Sequence, residues 1–127
     1  MRTVAQMVAE ARQRIENLSV EETARELEGG EALLIDIREP GERAQNGAIE
    51  GSLEAPRGML EFFADPESPY HREELVPDRR VILHCAGGGR SALAAATLKE
   101  MGYTRVAHMD GGLRAWKESG RPLSGGS

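Results

Sequence analysis

Cys85 is the only cysteine in the chain, and it is followed by Ala86-Gly87-Gly88-Gly89-Arg90-Ser91. A solitary cysteine is by itself most simply a small buried hydrophobe, but these neighbours give it chemistry. Three consecutive glycines let the backbone turn its N–H groups toward one point, forming a nest that binds an anion. A helix expected to start near Ser91 adds its positive end. Arg90 adds a guanidinium, either inside the cradle or braced outside it. Both effects favour thiolate over thiol and make Cys85 a nucleophile. The same donors, from Ala86 to Arg90, would stabilise a persulfide anion on Cys85 and the group expelled when a sulfur donor is attacked.

A neighbouring chemistry uses a similar cup. Protein tyrosine phosphatases and dual-specificity phosphatases separate cysteine from arginine by one more residue than the four found here. The shorter spacing makes a narrower cup, suited to one added sulfur atom. A small phosphatase or arsenate reductase stands as a lesser alternative, and a purely structural strand-to-helix turn as another.

The elements around this loop follow from periodicity. Val81-Ile82-Leu83-His84 is a short apolar strand that delivers Cys85 at its carboxyl end, and Ser91 to Met101 is a helix closed by Gly102. Ala32 to Ile37 reads as another buried strand, ending at Asp36 and Arg38, and Arg105 to Met109 as a further one. A brief strand is expected within residues 49–55 and short helices near 42–45, 58–64 and 113–119. Val4, Met7, Val8, Ala11, Ile15 and Leu18 place one helix over the first 18 residues, and the Ser19/Glu22 capping box starts a second. Strands alternating with helices predict an α/β fold with a mainly parallel central sheet and helices on both faces. Ligands then belong at the carboxyl ends of the strands, where Asp36, Arg38 and Cys85 all fall.

At 127 residues, the chain suits one domain with one core. Residues 1–18 are read as an N-terminal helical extension, 19–122 as the domain and 123–127 as a flexible tail. The net charge of −5 gives no electrostatic reason for a nucleic-acid partner. No apolar run approaches the roughly 18 residues of a membrane span. One cysteine and three scattered histidines form no convincing metal cluster, and a cytoplasmic home is the default.

Three motifs together resemble the rhodanese family, over roughly Ser19 to Pro122. They are Asp36-Ile37-Arg38 with Glu42 following, the six-residue loop Cys85 to Arg90, and Gly111-Gly112-Leu113-Arg114-Ala115-Trp116. The resemblance implies a rhodanese-like fold and a sulfurtransferase in which Cys85 accepts sulfur as a covalent persulfide, with no metal or organic cofactor. It implies a small donor such as thiosulfate and a thiophilic acceptor such as cyanide, a small thiol or a protein thiol. A persulfide carrier or sensor for a protein partner would need the same nucleophile. Where the family often has Gly-His-Ile-Pro-Gly-Ala, this chain has Gly47-Ala48-Ile49-Glu50-Gly51-Ser52, and Arg43 replaces the usual aromatic.

Asp36 and Arg38 are read as bracing the loop, with substrate contact as the lesser alternative, and Ser91 as a supporting residue. Arg57 is either a second cation steering the donor or a solvated charge. Tyr70 and His71 are either a rim or a surface pair. His84 points away from the loop mouth and orients rather than acts as a base. Trp116 and the methionines at helical spacing are taken as core.

Overall fold

The computed structural model describes residues 1–125. In chain order the elements are α1 (Val4–Arg14), β1 (Glu16–Leu18), α2 (Val20–Glu28), β2 (Leu33–Asp36), α3 (Pro40–Asn46) and β3 (Leu53–Glu54). A 3-10 turn (Arg57–Met59) leads into α4 (Leu60–Ala64), followed by β4 (Val81–His84), α5 (Gly89–Glu100), β5 (Val106–Met109) and α6 (Gly112–Glu118). All strands run parallel in the order β1-β5-β4-β2-β3, so the strand that carries Cys85 is the middle one. An α/β sheet with helices on both faces is therefore what the chain forms.

Side-chain alternation sends neighbouring residues of each strand into different cores. Ile35 and Leu83 pack with Leu60 and Ala64 of α4 and with Ala94, Ala95 and Leu98 of α5. Leu34, Ile82 and Ala107 pack on the other face with Ala24 of α2 and with Leu113 and Trp116 of α6. Each large apolar side chain so buried contributes roughly 1.5–3 kcal/mol. These two layers hold the carboxyl end of β4 still. A third cluster of Ala11, Ala92 and Ala96 seats α1 on α5, the small side chains allowing a close approach.

The structure departs from the sequence reading at both ends. The first helix stops at Arg14, and Glu16–Leu18 joins the sheet beside β5. Asn17 ends the helix: its Nδ2 donates to the carbonyls of Arg12 (3.0 Å) and Ile15 (3.2 Å), groups that a helix terminus leaves without partners. At the other end, Ser124 exchanges backbone hydrogen bonds with Ala48, and the Trp116 indole donates to Pro122 O. The expected flexible tail is thus held as far as Ser124, while Gly126 and Ser127 lie outside the described residues. Of the methionines at helical spacing taken as core, Met7 and Met101 are exposed, whereas Met109, on β5, is fully buried. Among the described residues no helix is long and apolar enough to cross a membrane.

Candidate active site

Cys85 leaves β4 buried, and its loop turns at Gly88, whose φ of 109° is open to glycine at little cost. That turn aims two backbone donors at the sulfur: Gly88 N–H at 3.1 Å and Ser91 N–H at 3.4 Å. The Ser91 hydroxyl lies 3.6 Å from Sγ. The helix begins at Gly89, two residues before the expected start, so Arg90 and Ser91 belong to its first turn. Of the other loop residues, Ala86 lines an adjoining cavity and Gly87 lies under the Arg114 guanidinium, while Gly88 and Ser91 supply the backbone donors to Sγ.

The loop is clamped from behind. Leu113 N–H donates to Cys85 O (2.9 Å) and Arg114 N–H to Ala86 O (3.0 Å), so the first turn of α6 ties down the first two carbonyls of the loop. Only a residue without Cβ fits between them: a Cβ on Gly112 would stand 2.5 Å from Cys85 O and 2.7 Å from Ala86 O. The Gly111-Gly112 pair of the third motif is thus the seat of the loop.

Arg90 is braced outside the cradle. Its two Nη groups donate to the two Glu42 oxygens at 2.7 and 2.9 Å. The hydrogen bond from Arg90 holds the Glu42 carboxyl down at about 2. Arg90 is raised above its ordinary value, first by the hydrogen bond to Glu42 and to a smaller extent by Cys85. A carboxyl depressed on folding stabilises the protein above its unfolded value of about 4.5 and loses that contribution as pH falls toward 2. Both groups are partly exposed, and screening limits the gain to about 1 kcal/mol. Glu42→Gln should therefore lower the melting temperature at neutral pH, with the difference from wild type vanishing toward pH 2. A gap that persists unchanged in acid would assign the effect to packing.

Asp36 and Arg38 form a buried pair beside this loop. Arg38 Nε and Nη2 reach the two Asp36 oxygens at 3.0 and 2.8 Å, and Arg38 Nη2 also donates to Gly47 O at 2.9 Å. Arg43 adds a further bond to Asp36 at 2.6 Å and one to Ser52 Oγ at 3.2 Å. Two positions at which the sequence departs from the usual pattern, Arg43 and Ser52, are therefore bonded to each other.

The rhodanese-like domain family matches residues 19–119 of this chain. The chain belongs to the rhodanese family. A sulfurtransferase of Allochromatium vinosum is 38% identical over 93 residues, which cover 73% of this chain and 78% of that protein. The solved human single-domain sulfurtransferase superimposes with a TM-score of 0.72 at 29% identity, covering 80% of this chain and 95% of that one. A protein of unknown function, possible tyrosine phosphatase, from Rhodopseudomonas palustris superimposes with a TM-score of 0.93 at 40% identity, covering 98% and 96%. Sulfur transfer in general is the chemistry supported by this membership and by the sulfurtransferases among the relatives.

Other residues of this rhodanese find different employment. Arg57 pairs with Glu61 Oε1 at 2.8 Å and reaches Thr97 Oγ1 at 3.4 Å, in a groove between α1 and α5 rather than among the groups around Sγ. Tyr70 packs edge-on against Phe62, and His71 Nε2 meets Leu75 O at 2.8 Å, so neither contributes a contact to the loop. His84 is buried with Nδ1 3.2 Å from Cys85 O and Nε2 3.8 Å from Asp36 Oδ2. Burial lowers its pKa against the pull of Asp36, keeping an orienting residue neutral.

Four contributors escaped sequence reasoning. The Arg114 guanidinium lies over Gly87, 3.7 Å from where a Cβ would stand, beside a cavity of about 300 Å³ floored by Ala86 and Leu113 and edged by Lys117. Arg12 of α1 comes against Gly88 and pairs with Asp110 at 3.3 Å. His108 and Asn17 stand behind Ser91. Arg114 sits inside the Gly111–Trp116 motif, in the first turn of α6, which was a usable signal. Arg12, Asn17 and His108 gave none, because their roles depend on β1 pairing with β5.

Proposed function

We propose that this rhodanese transfers sulfane sulfur from a small anionic donor such as thiosulfate, through a persulfide on Cys85, to cyanide or a thiol. The observation that carries the reading is the pair of backbone N–H groups on Cys85 Sγ inside a loop with four residues between cysteine and arginine. In the first step the thiolate attacks the outer sulfur of thiosulfate. The sulfur–sulfur bond breaks with its electron pair, sulfite leaves, and Cys85 carries the persulfide anion. In the second step cyanide or an acceptor thiolate attacks the outer sulfur of the persulfide, which departs as thiocyanate or a new persulfide and leaves Cys85 thiolate. The cradle donors meet the negative charge at each stage without rearranging, which is where preorganised dipoles act most strongly. The cavity beside Ala86 is lined by Arg38, Arg114 and Lys117 against the single carboxylate of Glu118, a balance that favours approach of an anion. The chain's own residues suffice for both steps, and neither needs a metal or an organic cofactor.

The test is the intact mass of the full chain after thiosulfate treatment, with Cys85→Ala alongside, followed by cyanide. Wild type should gain the mass of one sulfur, lose it to cyanide as thiocyanate, and show neither change without Cys85. Loading that cyanide fails to discharge would favour the carrier for a protein thiol. Absence of loading, together with Cys85-dependent hydrolysis of an aryl phosphate, would replace this reading with the phosphatase.

A further inference from the structure

Behind the nucleophile runs a hydrogen-bonded chain that the two-step transfer does not itself require. Ser91 Oγ lies 3.6 Å from Cys85 Sγ and 2.9 Å from His108 Nδ1, and His108 Nε2 lies 2.8 Å from Asn17 Oδ1. Cys85, Ser91 and His108 are all buried, so a proton leaving the thiol on this side meets protein rather than bulk water.

The direction of every hydrogen in the chain can be worked out. Asn17 Nδ2 donates to two backbone carbonyls, Arg12 O and Ile15 O, which accept only. The amide oxygen of Asn17 therefore faces His108, and Nε2 must carry the hydrogen it accepts. In the neutral imidazole this leaves Nδ1 bare, facing the Ser91 hydroxyl. The single Ser91 hydrogen has two acceptors in reach, Gly88 O at 3.2 Å and Nδ1 at 2.9 Å, and the shorter contact is Nδ1. Ser91 then presents a lone pair to Cys85, an arrangement that receives a thiol hydrogen and offers nothing to a thiolate.

We propose that His108, acting through Ser91, is the positioning residue that holds the Cys85 proton while the sulfur is nucleophilic. The thiol hydrogen passes to Ser91 Oγ as the Ser91 hydrogen passes to His108 Nδ1. The products are a thiolate, a hydroxyl now donating to it, and an imidazolium whose Nε2–H remains on Asn17. No proton enters or leaves the protein, and the reverse movement restores the thiol. The groups facing His108 are Cys85 across Ser91 from the end of β4, Arg12 from α1 and Asp110 from the turn after β5, while Asn17 of β1 is neutral. Arg12 and Asp110 are paired with each other, which leaves Cys85 as the unbalanced partner. Burial lowers His108, with Asp110 pulling it up and Arg12 down, so it enters as a base at neutral pH. Asn17 lies outside the span matched by the family, so the far end of this relay belongs to the N-terminal addition.

The proposal deepens the sulfur-transfer reading, and its test uses no sulfur donor. Iodoacetamide alkylation of Cys85 in the full chain, followed by intact mass across roughly pH 5 to 9, reports the thiolate directly. His108→Gln keeps a donor toward Asn17 and removes the bare Nδ1. It should slow alkylation about tenfold at neutral pH, the equivalent of one unit, with the deficit closing as pH rises. Ser91→Ala should do the same, and the double variant no more than either alone, because both cut one chain. In the unmodified wild type, NMR should show His108 as the Nε2–H tautomer, its titration midpoint falling by about one unit once Cys85 is alkylated. Superimposable alkylation profiles, or a His108 titration indifferent to alkylation, would overturn the relay. A relay that passes in a protein that loads no sulfur would sink the sulfur-transfer reading alone.

Discussion

Gly112→Ala is expected to cost about 3 kcal/mol or more and to disorganise the Cys85 loop, although the residue touches no substrate. Two penalties add at this position. Its φ of 59° lies in the left-handed region, worth about 1–2 kcal/mol for a residue with a Cβ. Its new methyl would also press on Cys85 O, Ala86 O and Ala86 C at 2.5 to 2.8 Å, all of them backbone atoms that cannot swing aside. Overpacking of this kind costs roughly 1–3 kcal/mol. Gly120→Ala is the control, because Gly120 shares a positive φ of 81° and has nothing within 4 Å of a Cβ. Denaturant midpoints of the two variants, with the alkylation rate of Cys85 in each, separate strain from collision. Equal midpoints and a normal Cys85 rate in Gly112→Ala would show that the loop does not depend on this seat.

The second large effect belongs to Asp36→Asn. The carboxylate accepts from Arg38 N, Nε and Nη2 and from Arg43 Nη1, and removing its charge leaves two guanidinium groups facing one another. Arg38 is 1% exposed and would keep Gly47 O as its remaining acceptor. An uncompensated buried charge costs about 3–5 kcal/mol, a large part of the roughly 5–15 kcal/mol that holds a domain together. Burial alone would raise the Asp36 carboxyl, but the hydrogen bond from the Arg38 side chain, the Arg38 backbone N–H and the Arg38 charge outweigh it, and the net shift is down. The pair therefore stabilises above the ordinary carboxylate range near 4 and loses its contribution in acid. Thermal melts from neutral pH to about pH 2 should show wild type destabilising below that range, while the variant starts lower and changes less. Coincident curves at neutral pH would refute the charge argument.

The centre of this fold was readable because the signals are local. Leu33-Leu34-Ile35 and Val81-Ile82-Leu83 are unbroken apolar runs, and Cys85, its glycines and Arg90 announce themselves within six consecutive positions. What escaped depends on partners far along the chain. Glu16-Asn17-Leu18 continues the apolar spacing of α1, and it becomes a strand because its edge meets Val106–Met109. Ser124 is held by Ala48, and Arg90 turns outward because Glu42 is there to receive both of its donors. Arg57 stands after a strand end, as the sequence suggested, but Glu61 one helical turn later claims its guanidinium.

The sheet order has a consequence for biosynthesis. Of the five strands of this sheet the first to leave a ribosome, β1, pairs with the last, β5, and Asn17 waits for a histidine 91 positions further on. At about 5–20 residues per second that interval lasts roughly 5–20 s. The cysteine and its glycine loop emerge before β5 and α6, the elements that back and clamp them. A nascent chain therefore carries a cysteine without its cradle support, and the finished site appears only as the final fifth of the chain is delivered.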